Sequence, residues 1–224
     1  MNKLKFVVFC LLTLLTLNTF ALTAQSTDSV KAVQTAKDST QKRWSMDADG
    51  NLVFTVTSDG TTGPEWIARL ETKCFRLGDW TKFILLSKDF KPTSGILYRL
   101  VAIKGTAFEE FELTNKNIRA RAKKTKWQTP NAEVACLLRE NFSDEELKAM
   151  GVWYLVAMHE PIDDSVGLPL LLNASRFGGA SWLNASCAEP DDEWRGSRYA
   201  EPDDEWRGNG AFVFVLSASG VLGN

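Results

Sequence analysis

The chain has 224 residues, a formal net charge of −2, 44% hydrophobic residues and 24% charged residues. This balance is typical of a globular protein and excludes an overall bias toward nucleic acid or a membrane surface. The residues that follow Trp44 are numerous enough for one substantial domain or two small ones.

Residues 1–24 have the pattern of a signal peptide. A short basic start precedes the apolar run Phe6–Leu17, and small residues at Ala21 and Ala24 offer two cleavage points. The run is too short and too rich in threonine for a membrane span. We therefore predict a protein that is secreted or held in the periplasm or cell envelope, with no membrane segment after cleavage. Residues 25–43 are polar and predict a flexible tether.

Five segments after the tether predict β-strands, because they are rich in β-branched and aromatic residues or alternate between apolar and polar positions. They lie near residues 52–57, 96–103, 152–158, 169–173 and 211–217. The predicted fold class is α+β, a mixed or antiparallel sheet with several short helices and with the last strand inside the sheet. We divide the chain into an N-terminal α+β part, 44–127, and a C-terminal ligand-display part, 128–224.

Helix signals separate these strands. Pro64 and Gly78 mark two helix starts, and Ser143 with Glu146 forms a capping box before a short helix that Gly151 ends. In the segment 115–126, six basic residues fall within the eleven positions 116–126. An exported chain has little occasion to meet nucleic acid, so we interpret this segment as the solvated basic face of a helix rather than a nucleic-acid site.

No catalytic motif is recognisable. His159 is the only histidine; it stands beside Glu160 and is interpreted as structural, with a general base as the alternative. Cys74, Cys136 and Cys187 follow the signal peptide, allow at most one disulfide and match no metal or redox spacing. We interpret them as small buried hydrophobic residues.

The nonapeptide AEPDDEWRG occurs at Ala188–Gly196 and again at Ala200–Gly208, with a period of 12 residues. This duplicated loop, 188–208, predicts a tandem duplication on which the fold does not depend, because loop-closure entropy grows slowly with length. Three interpretations stay open: pairing of Arg195 and Arg207 with the neighbouring acids, contact with a ligand, and calcium binding. The calcium ligands of the first copy would be Glu189, Asp191, Asp192 and Glu193.

The tail carries a resemblance. The order RFGGASW at Arg176–Trp182, an Asn/Asp/Arg-rich loop, and GAFVFVLS at Gly210–Ser217 resembles the end of C-type-lectin-like domains of the formylglycine-generating-enzyme type. It is most similar to the variable proteins that bacterial retroelements diversify, which implies a ligand-binding face. The chain also resembles secreted proteins of small-genome bacteria with TSDGTTGPEW, NAEVAC and MHEPI stretches, a likeness that implies no activity.

The sequence lacks residues on which the chemistry of these families depends. The oxidase branch has two cysteines downstream of its GGS segment, whereas Cys187 stands alone, and the iron-dependent branch needs several histidines. Glu189-Pro190-Asp191 is similar to the sugar-binding tripeptide of C-type lectins but lacks the Trp-Asn-Asp that follows it there. The resemblance therefore implies binding rather than catalysis.

We expect an exported protein that recognises a protein or carbohydrate ligand through its C-terminal surface, without nucleic acid and without a cofactor other than the calcium considered above. Exposed tryptophan and arginine side chains dominate contact energies. The predicted ligand-binding residues are Asn173, Arg176, Trp182, Asn184, Trp194, Arg195, Trp206 and Arg207. The alternatives are an enzyme that uses His159 and Glu160, and a structural protein of the envelope.

Overall fold

The structure, a computed structural model, describes residues 43–191 and 209–220, and the side chains of the last strand as far as residue 216. The predicted signal peptide, the tether up to residue 42 and most of the duplicated loop lie outside these ranges. All described residues belong to one compact unit. Among them, no helix combines the length and the apolar character that a membrane crossing requires.

The described chain forms nine strands and five α-helices, with two short 3-10 turns between β4 and α3. The strands are β1 (Trp44–Met46), β2 (Leu52–Asp59), β3 (Arg76–Leu77), β4 (Ser94–Lys104), β5 (Tyr154–Ala157), β6 (Ile162–Asp163), β7 (Pro169–Phe177), β8 (Ala180–Cys187) and β9 (Gly210–Gly220). The helices are α1 (Gly63–Thr72), α2 (Asp79–Leu86), α3 (Asn115–Lys124), α4 (Glu133–Asn141) and α5 (Asp144–Met150).

The strands form one mixed sheet in the order β1-β2-β4-β9-β5-β7-β8-β3, with β6 beside β7. β9 lies in the middle, antiparallel to β4 and parallel to β5. The predicted α+β class and the interior position of the closing strand are therefore confirmed. Strands from both predicted parts of the chain, 44–127 and 128–224, join this sheet.

Helices cover both faces of the sheet. Successive residues of its central strands point to opposite sides, and apolar residues of β9 need to be buried on both. On the first face, Ala211 and Val213 of β9 belong to a core with buried residues of α1, α2, α4 and α5. On the second face, Phe212 and Phe214 pack with Ile118 of α3. We call these two sides the four-helix face and the α3 face.

Two local signals are confirmed. Ser143 Oγ accepts from the amide of Glu146 and the Glu146 carboxylate accepts from the Ser143 amide, so the capping box starts α5. Gly151 ends that helix in the left-handed region at φ 76°. The basic face of α3 differs from its prediction at Arg119, which is half-buried and donates to the carbonyls of Met158 and His159 at 3.1 and 2.6 Å.

The largest difference from the sequence prediction is at residues 174–187, where no strand is predicted. They form most of the β7–β8 hairpin, whose two-residue turn is Gly178-Gly179. Both glycines have positive φ, 57° and 70°, as a type I′ turn requires. The small polar residues of this stretch concealed the alternation that a strand needs.

Cys74 sits where a helix ending favours glycine. The amide of Phe75 donates to Leu70 and that of Cys74 to Glu71, the two hydrogen bonds of a Schellman motif at the end of α1. Cys74 has φ 62° and is exposed, so it carries a strained backbone without a packed side chain. This exposure corrects the prediction of a buried cysteine at this position, and Cys187 is half-buried rather than buried. Cys136 is buried as predicted.

We expect Cys74→Gly to raise the free energy of unfolding by about 1 kcal/mol, because glycine adopts this conformation without strain. Urea unfolding measures the gain. Cys74→Ala is the matched control, since it removes the thiol but keeps the strain and should leave stability nearly unchanged. An equal gain in both variants would contradict a backbone origin.

Candidate functional site

The β7–β8 hairpin presents a polar and aromatic surface on the α3 face. Leu183 and Ala185 point into the four-helix core, so Trp182, Asn184 and Ser186 point the other way. Residues of β7 on the same side are Asn173, the register partner of Asn184, and Ser175, the partner of Trp182. We call these five residues the hairpin face: Asn173, Ser175, Trp182, Asn184 and Ser186.

Trp182 is the aromatic centre of the hairpin face and is held in place on two sides. It is half-buried, and its indole Nε1 donates to the carbonyl of Phe177 across the turn at 3.3 Å. The guanidinium of Arg76, from the neighbouring strand β3, lies 5.4 Å from the ring centroid. A tryptophan fixed in this way loses little conformational entropy on contact with a ligand.

The polar residues around Trp182 differ in their exposure to solvent. Asn173 is buried, and its side-chain Nδ2 donates to Ser186 Oγ at 3.0 Å. Asn184 is exposed, and its side-chain oxygen accepts from the backbone amide of Ala185. The Nδ2 of Asn184 takes no part in this contact with Ala185. The hairpin face therefore has hydrogen-bonding groups at its surface, above the buried Asn173 side chain, which is already bonded to Ser186.

Arg176 does not belong to the hairpin face, because it lies an odd number of positions from Asn173 along β7. Its Nε donates to the carbonyl of Val152 at 3.2 Å, and its guanidinium stacks 3.7 Å from the Trp153 ring centroid. It therefore ties the end of β7 to the start of β5. Of the predicted ligand-binding residues, the structure brings together Asn173, Trp182 and Asn184.

The other predicted ligand-binding residues, Trp194, Arg195, Trp206 and Arg207, lie outside the described residues. Sequence reasoning missed Ser175 and Ser186, which the hairpin register adds to the face. The signal that identifies them is the Gly178-Gly179 pair: centring a two-residue hairpin on it fixes every cross-strand pair.

A buried arginine supports the hairpin from the four-helix face. Arg139 of α4 is completely buried and donates to the carbonyls of Ser175 and Phe142 at 3.0 and 2.5 Å. It also forms an ion pair with Asp144 at 2.9 Å, and Asp144 accepts from Ser181 Oγ of β8 at 2.9 Å. Burial lowers the Arg139 pKa, and the Asp144 charge opposes that change. Both strands of the hairpin are thus fastened to one buried cation.

The first residues of the duplicated loop contact the start of α3. Ala188 is buried, and its amide donates to Pro169 at 2.8 Å, one step beyond the β7–β8 ladder. The carbonyl of Glu189 accepts from Asn115 Nδ2, and that of Pro190 accepts from the Lys116 amide, both at 3.0 Å. The Lys116 ammonium lies 3.6 Å from Asp191. The loop therefore leaves β8 toward α3.

His159 has a structural environment. The ring is 2% exposed, its Nδ1 lies 2.6 Å from the Glu160 carbonyl, and its Nε2 accepts from the Leu172 amide at 3.0 Å. The neutral tautomer with a proton on Nδ1 satisfies both contacts. Burial lowers the pKa of His159 to about 4, and the positive charge of Arg119 acts in the same direction. Neither ring nitrogen is available to a substrate in this arrangement.

This environment predicts a pH dependence of stability. The folded-state pKa of about 4 lies below the ordinary value of 6.5, so the unfolded chain binds more protons between these values. The contribution of neutral His159 is complete above pH 6.5 and falls as the pH is lowered through 4, by at most about 3 kcal/mol.

Chemical denaturation at pH 7 and at several values down to pH 4 measures this loss. His159→Gln is the control, because it shares every titrating carboxylate but lacks the imidazole. The difference in unfolding free energy between the two proteins should shrink steadily from pH 7 to 4. A constant difference would show that the histidine keeps its ordinary pKa in the folded state.

Metal and covalent chemistry find little support in the described part of the chain. Over residues 43–191 and 209–220, no three or more His, Cys, Asp or Glu side chains lie close enough together to hold a metal ion. Of the four calcium ligands considered above, Glu189 and Asp191 are described, whereas Asp192 and Glu193 are outside. Cys136 is fully buried, and burial raises its pKa, so it is a poor nucleophile.

Comparison with known proteins gives no relative to this chain. No protein-family model, no curated protein and no solved structure matches it. The assignment of function therefore rests on the residues and their geometry.

Proposed function

We propose that the protein is an exported recognition protein whose ligand-contact surface is centred on the hairpin face. The observation that carries the proposal is the arrangement of Trp182 and Asn184. The indole is half-buried and fixed, and the exposed amide stands beside it on a strand paired along its whole length. Tryptophan and asparagine in such a rigid setting are typical of recognition surfaces such as those of protein interfaces and antibodies.

The support beneath the face favours recognition over a purely structural role. Asn173 and Ser186 bond each other, and Arg139 and Asp144 fasten both strands from the opposite side. Pre-organisation of this kind lowers the entropy cost of binding, which is otherwise a large part of the free energy of association. The fixed face therefore favours binding through the tail, with the duplicated loop adding contacts from Trp194, Arg195, Trp206 and Arg207.

The finer part of the proposal is that residues 128–224 form a C-type-lectin-like part that retroelements diversify. What supports it is the sequence order RFGGASW, loop and closing strand. The DNA around the gene tests the diversification: a nearby reverse transcriptase and a second copy of the tail that differs mainly at adenines are expected. Neighbouring DNA without either would contradict diversification while leaving recognition untouched.

Selection from a random dodecapeptide library on phage, together with an array of bacterial glycans, tests recognition. We expect the mature wild-type chain to retain specific peptides or glycans that the Trp182→Ala/Asn184→Ala variant loses by at least tenfold in affinity. Thermal stability should change by no more than a few degrees, because both side chains lie outside the two cores.

Trp80→Ala is the matched control. Trp80 is 47% exposed and belongs to α2, whose buried residues pack in the four-helix core, so it offers an accessible indole that is not one of the hairpin-face residues. Its removal should leave binding unchanged. Equal losses for both tryptophans, or retention by the double variant, would refute the proposed surface. Loss of binding together with unfolding would show that Trp182 is a structural residue.

A further inference from the structure

The edge strand β3 extends the hairpin face by one strand. It pairs in parallel with β8, so that Arg76 is the register partner of Trp182 and Leu77 is that of Leu183. Leu77 packs against the four-helix core, to which Leu183 belongs, and Arg76 therefore lies on the same side of the sheet as Trp182. The five residues of the hairpin face carry no formal charge, so Arg76 determines the sign of the charge at its border.

The backbone around Arg76 is packed against the hairpin and its anchor. Phe75 lies under the guanidinium of buried Arg139, with 4.9 Å between Arg139 Cζ and the ring centroid. On the other side of Arg76, a Cβ at Gly78 would lie 2.9 Å from Asn184 Oδ1, so the glycine leaves room for the asparagine. The position of Arg76 beside the face is thus fixed by its neighbours.

The guanidinium of Arg76 has no anionic partner in the described part of the chain. It is exposed, and it contacts the Trp182 ring, whose centroid lies 5.4 Å from Cζ. By contrast, Arg43, Arg69 and Arg139 are ion-paired with carboxylates. Arg76 therefore has donors to offer to a carboxylate, which a guanidinium binds through two parallel hydrogen bonds.

The carboxylates closest to Arg76 along the chain act on Lys82 instead. Glu71 forms an ion pair with Lys82 at 2.7 Å. The hydrogen bond and the charge of Glu71 raise the pKa of Lys82, and the charge of Asp79 adds to this effect. Neither acid forms an ion pair with Arg76, so the positive charge at the border of the face is left for a ligand.

The outer edge of β8 is occupied where a partner would add a strand. β3 pairs with residues 182–183, the Leu183 carbonyl accepts from Thr81 Oγ1 at 3.1 Å, and the Ala185 amide donates to the Asn184 side chain at 3.0 Å. Strand addition needs a row of unpaired backbone groups. A ligand of this surface therefore contacts it through side chains.

We propose that the hairpin face binds an acidic segment of a partner protein, and that Arg76 selects its carboxylate. The site is the surface of the proposed function, so this ligand class depends on that proposal. Arginine beside tryptophan favours a protein partner, because these residues contribute most of the binding energy at protein interfaces.

The spacing of the three contact groups fits a short extended peptide. Adjacent strands lie about 4.8 Å apart, and alternate residues of one strand about 7 Å apart, so Arg76, Trp182 and Asn184 match about three peptide residues. The carboxylate would bind Arg76, and a neighbouring apolar or aromatic side chain would pack on Trp182. A peptide carbonyl would accept from Asn184 Nδ2.

Selection with the random dodecapeptide library on phage tests the sign of the ligand. The wild type should enrich peptides in which Asp or Glu stands beside an apolar or aromatic residue. Arg76→Glu should enrich Lys and Arg at that place instead, because it reverses the charge at the border of the face. Arg99→Glu is the matched control: Arg99 is exposed on β4, with four strands between β4 and β3, and its replacement should leave the enrichment acidic.

The affinity of a synthetic peptide selected on the wild type measures the contact. Arg76→Glu should weaken binding about tenfold or more, and Arg76→Lys about threefold, because lysine keeps the charge but not the paired donors. An amide in place of the peptide's carboxylate should weaken binding to the wild type but change binding to Arg76→Gln by less than about twofold. Melting temperatures within a few degrees of wild type show that the variants fold, and Arg76→Gln replaces Arg76→Glu if the latter does not.

The outcomes distinguish the ligand class from the recognition surface itself. Selected peptides that need Trp182 and Asn184 but show no acidic enrichment, or that bind Arg76→Gln as tightly as the wild type, would overturn the acidic ligand alone. Retention of glycans without any peptide would also overturn it, since the ligand would then belong to another class. A wild type that retains neither peptides nor glycans would overturn both the ligand class and the proposed function.

Discussion

Arg139→Met is expected to lower the free energy of unfolding by about 3–5 kcal/mol, a large share of the stability of a domain of this size. Methionine fills much of the volume but donates no hydrogen bond. The carbonyls of Ser175 and Phe142 would lose their charged donor, and Asp144 would lose its partner at 2.9 Å. Each buried acceptor left unsatisfied costs about 1–3 kcal/mol.

Chemical denaturation measures this loss, with Asp144→Asn as the matched control. Asparagine keeps a side-chain oxygen for Ser181, and Arg139 keeps both carbonyls, so the loss should be smaller than for Arg139→Met. A loss below about 1 kcal/mol for Arg139→Met would contradict its role as the anchor of the hairpin. Reversal of the order of the two variants would do the same.

Gly210→Ala is expected to cost about 3 kcal/mol or more, because the position has no room for a side chain. A Cβ there would lie 2.0 Å from Cε2 and 2.2 Å from Cζ of the Tyr154 ring. Gly210 and Tyr154 are register partners in the parallel β5–β9 pair, and Tyr154 is buried. The ring cannot move aside without disturbing β7, where Ser175 is its next partner.

A double-mutant cycle isolates the clash. Tyr154→Ala removes the ring at a cost of its own, and adding Gly210→Ala to that background should cost less than about 1 kcal/mol. The coupling energy between the two positions is then about 2 kcal/mol or more. Additive losses would show that Gly210 is needed for its backbone conformation rather than for the space that the ring occupies.

Most regular elements were predictable because local physics determines them. The apolar run at 152–158 and the alternation at 52–57 predicted β5 and β2 to within two residues. The capping box at Ser143 and the glycine at Gly151 defined α5, since both act within one helical turn. The strand pairing order depends on contacts distant in sequence, and only the interior position of β9 could be anticipated from its apolar character.

The hairpin was harder to predict because one side of it faces away from the cores and carries polar residues. Inward positions of β8 are filled by Leu183 and Ala185, and an alanine gives a weak hydrophobic signal. The short strands β3 and β6 have two residues each and no periodicity. They form because β8 and β7 offer unpaired backbone groups to them.

The candidate site shows the same division between local and tertiary determinants. Residue type selected Trp182 and Asn184, which β8 places on one face, whereas the alternation of β7 places Arg176 on the other. The role of Arg139 could not be derived from the sequence, because its partners Ser175 and Asp144 come from different elements and its burial is a tertiary property. An arginine within the apolar stripe of α4 was the one available hint.

The indole N–H resonances of the protein, followed by NMR during titration with a peptide or glycan selected on the wild type, test the hairpin face most directly. We expect the Trp182 indole and the amides of residues 182–186 to shift in proportion to the bound fraction, while the Trp80 indole does not move. Perturbation confined to Trp80 and α2, with Trp182 unchanged at saturation, would contradict it.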